Sequence, residues 1–250
     1  MIPALVMDSL GVSADLLSDQ EKAGLDADGF VVFPDLVSPD DVAALRGRVD
    51  ELSGRDGDPD IRRREHVISS HNLVNKDPIF DQCVLHPKVL SAIVHVLGRD
   101  IKLSSLNSLF LLPGCERQVL HVDFETSIKP GDWKVANSLW LLDDFAPNNG
   151  ATRFVPGSQM TGELPGSVLE DRKADHPDQV QVLAPAGSVA VFNAHTWHGF
   201  MDNSSSNPRR AIHSYYTLRE CDQQTNQRDS LSPETRARFS PEVRTLLDVD

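Results

Sequence analysis

The chain has 250 residues, 40% hydrophobic and 24% charged, a balance that suits one large globular domain or two small ones and excludes disorder throughout. Its 24 basic and 37 acidic residues leave a net charge of −13, which repels phosphate backbones and argues against nucleic-acid binding. No stretch approaches the roughly 18–20 apolar residues of a membrane span, and no Lys or Arg precedes the apolar opening MIPALVMDSLGV, which argues against a signal peptide. Cys83, Cys115 and Cys221 form no CxxC pair and are expected as reduced, partly buried thiols in a cytoplasm.

The front of the chain reads helical. Ser18-Asp19-Gln20-Glu21 has the form of a capping box, in which serine accepts from a backbone N–H and glutamate reaches back. After the apolar run Phe30-Val31-Val32-Phe33, Ser38-Pro39-Asp40-Asp41 starts a second helix, with Val42, Leu45, Val49 and Leu52 as its apolar stripe. A third is predicted over Pro87 to Leu97, stopped by Gly98. From Ile101 the period changes to two. Strands are predicted at 101–112, 117–123, 134–143, 151–155, 179–183, 187–193, 197–203 and 209–217, separated mostly by Pro/Gly/Asn turns. Short strands behind a helical front suggest a small barrel or sandwich with helices outside one sheet. The tail from Ser232 reads as one or two short helices. The whole, 1–250, is expected as one domain: a helical front to about 100, a β core over 101–217 and a helical tail over 218–250.

Residues i and i+2 of a strand share a face, so His121 and Asp123 present an imidazole and a carboxylate together. One more histidine from a distant strand would complete the 2-His-1-carboxylate triad that holds Fe(II) with open positions. The triplet alone is unspecific, and His176-Pro177-Asp178 is a second example. That one lies in a charged loop, and its proline fits a central strand poorly. Further on, His195 and His198 follow the apolar strand 187–193, and Arg209 follows His198 by eleven residues, on the next strand after a turn. A guanidinium beside an iron site suits the far carboxylate of a dicarboxylate such as 2-oxoglutarate. It would also neutralise the charge left by iron, Asp123 and the dianion.

These residues, with Asn148-Asn149-Gly150-Ala151-Thr152-Arg153-Phe154-Val155-Pro156-Gly157-Ser158, Trp197-His198-Gly199 and Pro208-Arg209-Arg210, resemble the phytanoyl-CoA dioxygenase family. The resemblance runs from about Asp19 to Tyr216 and includes Asp28-Gly29-Phe30 in the front. It implies a mainly β fold with flanking helices around a double-stranded β-helix (a jelly-roll, cupin-like core), and a chemistry that uses Fe(II), 2-oxoglutarate and O2. It makes His121, Asp123 and His198 the iron ligands and Arg209 the partner of the cosubstrate's C5 carboxylate. Thr152 is a further cosubstrate candidate, although its hydroxyl could instead stabilise the Asn149-Gly150 turn. Asn107 and Asn137 are cofactor candidates because strand parity turns them inward. His195 is weighed equally as a substrate contact and as a strand-end histidine.

Two departures stand out. Leu139 aligns where the family often carries an aromatic, with Trp140 beside it, and Gln159 replaces the usual His after PGS. Retention of Asp123 favours hydroxylation over halogenation. The implied activity is a dioxygenase hydroxylating a small molecule with release of succinate and CO2. Desaturation, epoxidation or rearrangement by the same iron site are alternatives, as are a peptide hydroxylase and a non-catalytic cupin-like binding module. The loop 124–133 and the stretch 61–75 are expected to cover the barrel mouth. Arg62-Arg63-Arg64 could meet an anionic substrate, although a charge run is more often a solvated helix face.

Overall fold

The computed structural model describes residues 3–250; residues 1 and 2, the start of the apolar opening, lie outside them. The helix Asp19–Ala27 begins at a complete capping box, with Glu21 N donating to Ser18 Oγ and Ser18 N donating to Glu21 Oε2. Ser38 caps the helix Pro39–Ser53 through the Asp41 N–H, with proline in its first turn. The helix Pro87–Leu97 buries Val89, Leu90, Ala92 and Ile93.

Ten strands follow in chain order: β1 Phe30–Phe33, β2 Ile61–Arg64, β3 Val67–Ser70, β4 Ile101–Leu111, β5 Val135–Leu141, β6 Thr152–Phe154, β7 Val180–Gln181, β8 Val189–Asn193, β9 His198–Phe200 and β10 Arg209–Leu218. Seven form one sheet in the order β1-β8-β5-β10-β4-β3-β2, and three form a smaller one, β7-β6-β9, with antiparallel pairing throughout. The two sheets make a jelly-roll core with helices on the outer face of the larger one, the expected class.

Parity explains why the central strands read as nearly continuous apolar runs. On one face Ile212, Tyr216, Trp140 and Leu106 pack with Leu90 and Ile93 of the helix Pro87–Leu97. On the other, Ala211, Tyr215, Leu139 and Phe192 meet Phe154 of the small sheet. Trp140 Nε1 finds Ser138 Oγ at 2.9 Å and Ser214 Oγ at 3.2 Å, so the buried indole keeps a partner.

Three elements differ from the sequence expectation. Residues 61–70 form the β2–β3 hairpin, which extends the large sheet beyond β4. The segment 117–123 is extended but carries only the isolated bridge His121↔His198, because its N–H groups are shared among Phe200, Arg172, His198 and Ala194 carbonyls rather than one strand. A short helix, Gln227–Ser230, precedes the expected tail helices Pro233–Arg238 and Pro241–Leu247. All three cysteines are free, with Cys83 and Cys115 buried. Among the described residues no helix is long and apolar enough to cross a membrane.

Candidate metal centre

The bridge between the 117–123 segment and β9 sets His121 beside His198, with each backbone N–H donating to the other's carbonyl at 2.9 Å. The imidazole centroids stand 4.3 Å apart. His198 Nδ1 lies 2.8 Å from Thr196 O, and His121 Nδ1 lies 3.2 Å from Val119 O. Each ring thus sets its Nδ1 against the carbonyl two residues back and turns its Nε2 toward Asp123. Such backbone contacts fix tautomer and orientation in metal-binding histidines. The Nε2 atoms lie 3.6 Å from Asp123 Oδ1 (His121) and 3.5 Å from Oδ2 (His198). Among the described residues these three are the group whose donor atoms lie mutually within 4.8 Å. Two nitrogens and one carboxylate oxygen on one side of a cavity fit Fe(II) with open positions.

Burial alone would raise the Asp123 carboxyl, but the facing imidazoles outweigh it and hold the group well below the usual carboxylate range. Asn137, fully buried on β5, donates its side-chain amide to Asp123 Oδ2. Tyr215, opposite Asn137 across the sheet, donates its hydroxyl to Asp123 O at 2.9 Å. Parity thus turns Asn137 inward as expected, and it lies against the carboxylate.

Arg209 opens β10 and is 1% exposed. Its Nη2 donates to Gly150 O at 2.6 Å and its guanidinium lies 4.4 Å from the Phe145 ring centroid. Its Nε has no partner, and among the described residues no carboxylate comes within ion-pair distance. Burial pulls the guanidinium down to about 9, with only weak support from Cys115 and Asp143. A buried, unpaired cation is costly, which makes this end of the cavity fit for a carboxylate. Gly150, at φ +82°, keeps the turn this tight; an added Cβ would lie 2.7 Å from Leu111 Cδ1.

One cavity of about 450 Å³ joins the two ends and is lined by His121, Asp123, His198, Arg209, Thr152 and Asn107, among others. The turn before Thr152 is held by Asn149, whose Oδ1 accepts from Ala146 N and whose Nδ2 donates to Asp144 O. Asn107 spends part of its amide on Asn72 N and Ser105 Oγ. Leu139 supplies an apolar wall, while Trp140 points to the other face.

His195 does not line this cavity. Its Nε2 accepts from Lys134 N at 3.0 Å, and Phe124 and Trp133 pack on its ring, so it pins the 124–133 loop; burial pulls it down to about 4. That loop is likewise absent from the cavity lining, whereas Arg62, Arg64, Val67, Ser69 and His71 of 61–75 belong to it. His176 lies outside the metal-ligating group and takes the Asp178 N–H within its own loop. Gln159 is buried and donates to Asp26 O and Ala27 O, tying its turn to the end of the helix Asp19–Ala27.

Two residues here escape the motif reading. His213 lines the cavity, opposite Asn107 and Leu139 on neighbouring strands. It has the parity of Arg209, four residues on, a signal that was available. Arg153, 0% exposed in the NNGATRF block, gives two guanidinium nitrogens to four carbonyls and Gln179 Oε1. Nothing in the sequence distinguishes it from a strand-surface arginine.

Known proteins resemble this chain in sequence and in fold. The family model described as phytanoyl-CoA dioxygenase (PhyH) matches residues 25–211. An ectoine dioxygenase of Bordetella bronchiseptica is 29% identical over 245 residues, covering 84% of this chain and 78% of that protein. Among solved structures, HygX from Streptomyces hygroscopicus, with nickel, 2-oxoglutarate and hygromycin B bound, superposes with a TM-score of 0.68 at 18% identity, over 88% of this chain and 94% of its own. The non-haem α-ketoglutarate-dependent carbocyclase SnoK from nogalamycin biosynthesis gives 0.68 at 22%, over 92% and 94%.

Proposed function

The chain belongs to the phytanoyl-CoA dioxygenase family of Fe(II)- and 2-oxoglutarate-dependent oxygenases, and from that premise we propose that it hydroxylates a small organic molecule with release of succinate and CO2. His121 Nε2, His198 Nε2 and the Asp123 carboxylate hold the iron, and Arg209 takes the C5 carboxylate of 2-oxoglutarate. The observation that carries this reading is the unpaired, buried Arg209 in the same cavity as the three metal donors.

Bound iron supplies the activation of O2 that couples cosubstrate decarboxylation to substrate oxidation. The chain's own part is orientation. Asn137 and Tyr215 fix Asp123 from its carboxylate and backbone ends. Arg209 neutralises the far carboxylate where water is scarce, and Thr152, in the lining of the same cavity, offers a hydroxyl as a second donor. Leu139 and Phe192 keep the reacting end apolar. The concave cavity suits a compact molecule rather than a polypeptide.

The likeness to a carbocyclase favours keeping one second reading, in which the same ligands serve ring closure or desaturation. Product mass separates them: hydroxylation adds one oxygen, and the alternatives remove two hydrogens.

Anaerobic titration of the protein with Fe(II) and 2-oxoglutarate tests the site. The visible charge-transfer band of the chelate is expected in the wild type and is weakened in His198→Ala and Arg209→Ala. A wild type that binds iron without the band would overturn the assignment.

A further inference from the structure

The β2–β3 hairpin carries three consecutive arginines whose side chains part company. Arg63 turns away from the cavity, donating to Ser53 O and standing 3.8 Å from Asp56. Arg62 and Arg64, on the other face, line the cavity together with Val67, Ser69 and His71 of β3. Among the described residues neither Arg62 nor Arg64 has a hydrogen-bond or ion-pair partner, in a chain whose acidic residues outnumber its basic ones by 37 to 24. Asp123 is the one carboxylate among the cavity's lining residues. Its charge is already used: doubly charged iron, Asp123, dianionic 2-oxoglutarate and Arg209 sum to zero. The loaded cavity therefore still faces two uncompensated guanidinium groups at its rim.

Register gives the scale. Arg64 pairs with Val67, Val67 with Leu111, and Leu111 with Arg209, so one rung of the sheet runs from the rim to the buried arginine. Three strand spacings separate them, about 14 Å along the sheet. Between the two ends, β3 and β4 contribute Val67 and Leu109 beside the polar Ser69, Asn107 and Ser108, while Leu139 and Phe192, beyond β10, make the inner part of the cavity apolar. His71, beside Ser69 Oγ at 3.0 Å, is held down by burial and by Arg62, so it offers a neutral donor or acceptor.

Resting on the oxygenase reading above, we propose that Arg62 and Arg64 bind the anionic head, a carboxylate or phosphate, of a substrate whose apolar body reaches inward to the iron. Arg62 and Arg64 are exposed on one strand face, each guanidinium is itself a planar fork that matches either oxyanion, and the rim position keeps the head group away from the reacting carbon.

The test is calorimetric titration of the anaerobic enzyme loaded with Fe(II) and 2-oxoglutarate, using hexanoate, hexyl phosphate and uncharged hexanol as probes. At least one anion is expected to bind about tenfold or more tighter than the alcohol, and the stronger of the two identifies the head group. The double variant Arg62→Gln/Arg64→Gln should lose that preference, while Arg63→Gln keeps it. Hexanol affinity and the visible 2-oxoglutarate band should be the same in all three, which also shows that the hairpin variants fold. Anions that bind no tighter than hexanol, or a preference that survives the double variant, would overturn the proposal. So would a double variant whose loss falls on the 2-oxoglutarate band, since the pair would then serve the cosubstrate. Absence of the band in the wild type would be a failure of the oxygenase reading itself.

Discussion

Two arginines, Arg153 and Arg209, are almost completely buried in this β core, and their surroundings are opposite. Arg153 donates to Ala174 O, Gln179 Oε1, Gln118 O, Arg172 O and Lys173 O, with Asp175 at 3.7 Å; only its Nε is left over. Arg209 has one carbonyl, one aromatic face and a cavity. A cation whose donors are consumed by the chain is structure, here a clamp that ties the 172–175 loop to the segment leading into His121. A cation buried with donors to spare points to a partner that arrives later, because the fold alone does not offset its desolvation.

Exchanging each for methionine gives the largest expected effects, and they should be reciprocal. Arg153→Met strands four carbonyls and is expected to cost about 3–5 kcal/mol of stability, with 2-oxoglutarate affinity unchanged in the protein that remains folded. Arg209→Met removes an unpaired buried charge, so its ligand-free stability should be unchanged or higher, while 2-oxoglutarate binding falls about 100-fold or more. Denaturant unfolding and titration of the visible band measure the two quantities. Equal destabilisation by both substitutions would break the comparison.

Asn137 sharpens it at the metal end. Its amide is committed to Asp123, as Arg153 is committed to its loop, yet the group it serves is a proposed ligand. Asn137→Ala should weaken iron binding about 10- to 100-fold, the usual effect of losing a ligand's hydrogen-bond support. The cosubstrate's affinity for protein that has bound iron should change little. Iron competition against a chelator provides the readout, and an unchanged affinity would reduce Asn137 to packing.

His195 is a buried group whose neutrality the fold requires, since its Nε2 accepts the Lys134 N–H. Its folded value near 4 lies below the ordinary 6.5, so the unfolded chain binds the extra proton between them. The stability this contributes is whole above 6.5 and is lost as pH falls toward 4. At pH 5 the loss is about 2 kcal/mol. His195→Gln, which can accept the same N–H without titrating, should show a smaller drop in melting temperature between pH 7.5 and 5. Parallel pH curves would exclude the assignment.

Much of the core was legible because it depends on local rules: serine caps, a period-two pattern and turns rich in proline and glycine. Of the candidate triad, His121 and Asp123 were legible through spacing and His198 only through the family resemblance, while Asn107 and Asn137 were legible through parity alone. The β2–β3 hairpin was not, since its turn, Glu65-His66, carries no glycine or proline and three adjacent arginines hide the alternation of faces. The 117–123 segment has strand composition, but its hydrogen bonds go to several separate partners, a feature of tertiary placement that no local pattern encodes. His195 and His198 illustrate the same boundary: three residues apart, the second opens β9 and faces Asp123, and the first sits in the turn after β8 and faces a loop.

Thr152 carries the smallest expected effect and decides between two readings of one hydroxyl. It lines the same cavity as Arg209, while Asn149 supplies the side-chain hydrogen bonds of the Asn149-Gly150 turn. Thr152→Val keeps the shape and β preference and removes only the oxygen. If the hydroxyl donates to the cosubstrate carboxylate beside Arg209, 2-oxoglutarate affinity should fall about fivefold, the value of a single hydrogen bond, with the melting temperature unmoved. A fall in melting temperature with unchanged affinity would give the hydroxyl back to the fold and leave Arg209 as the sole anchor at that end.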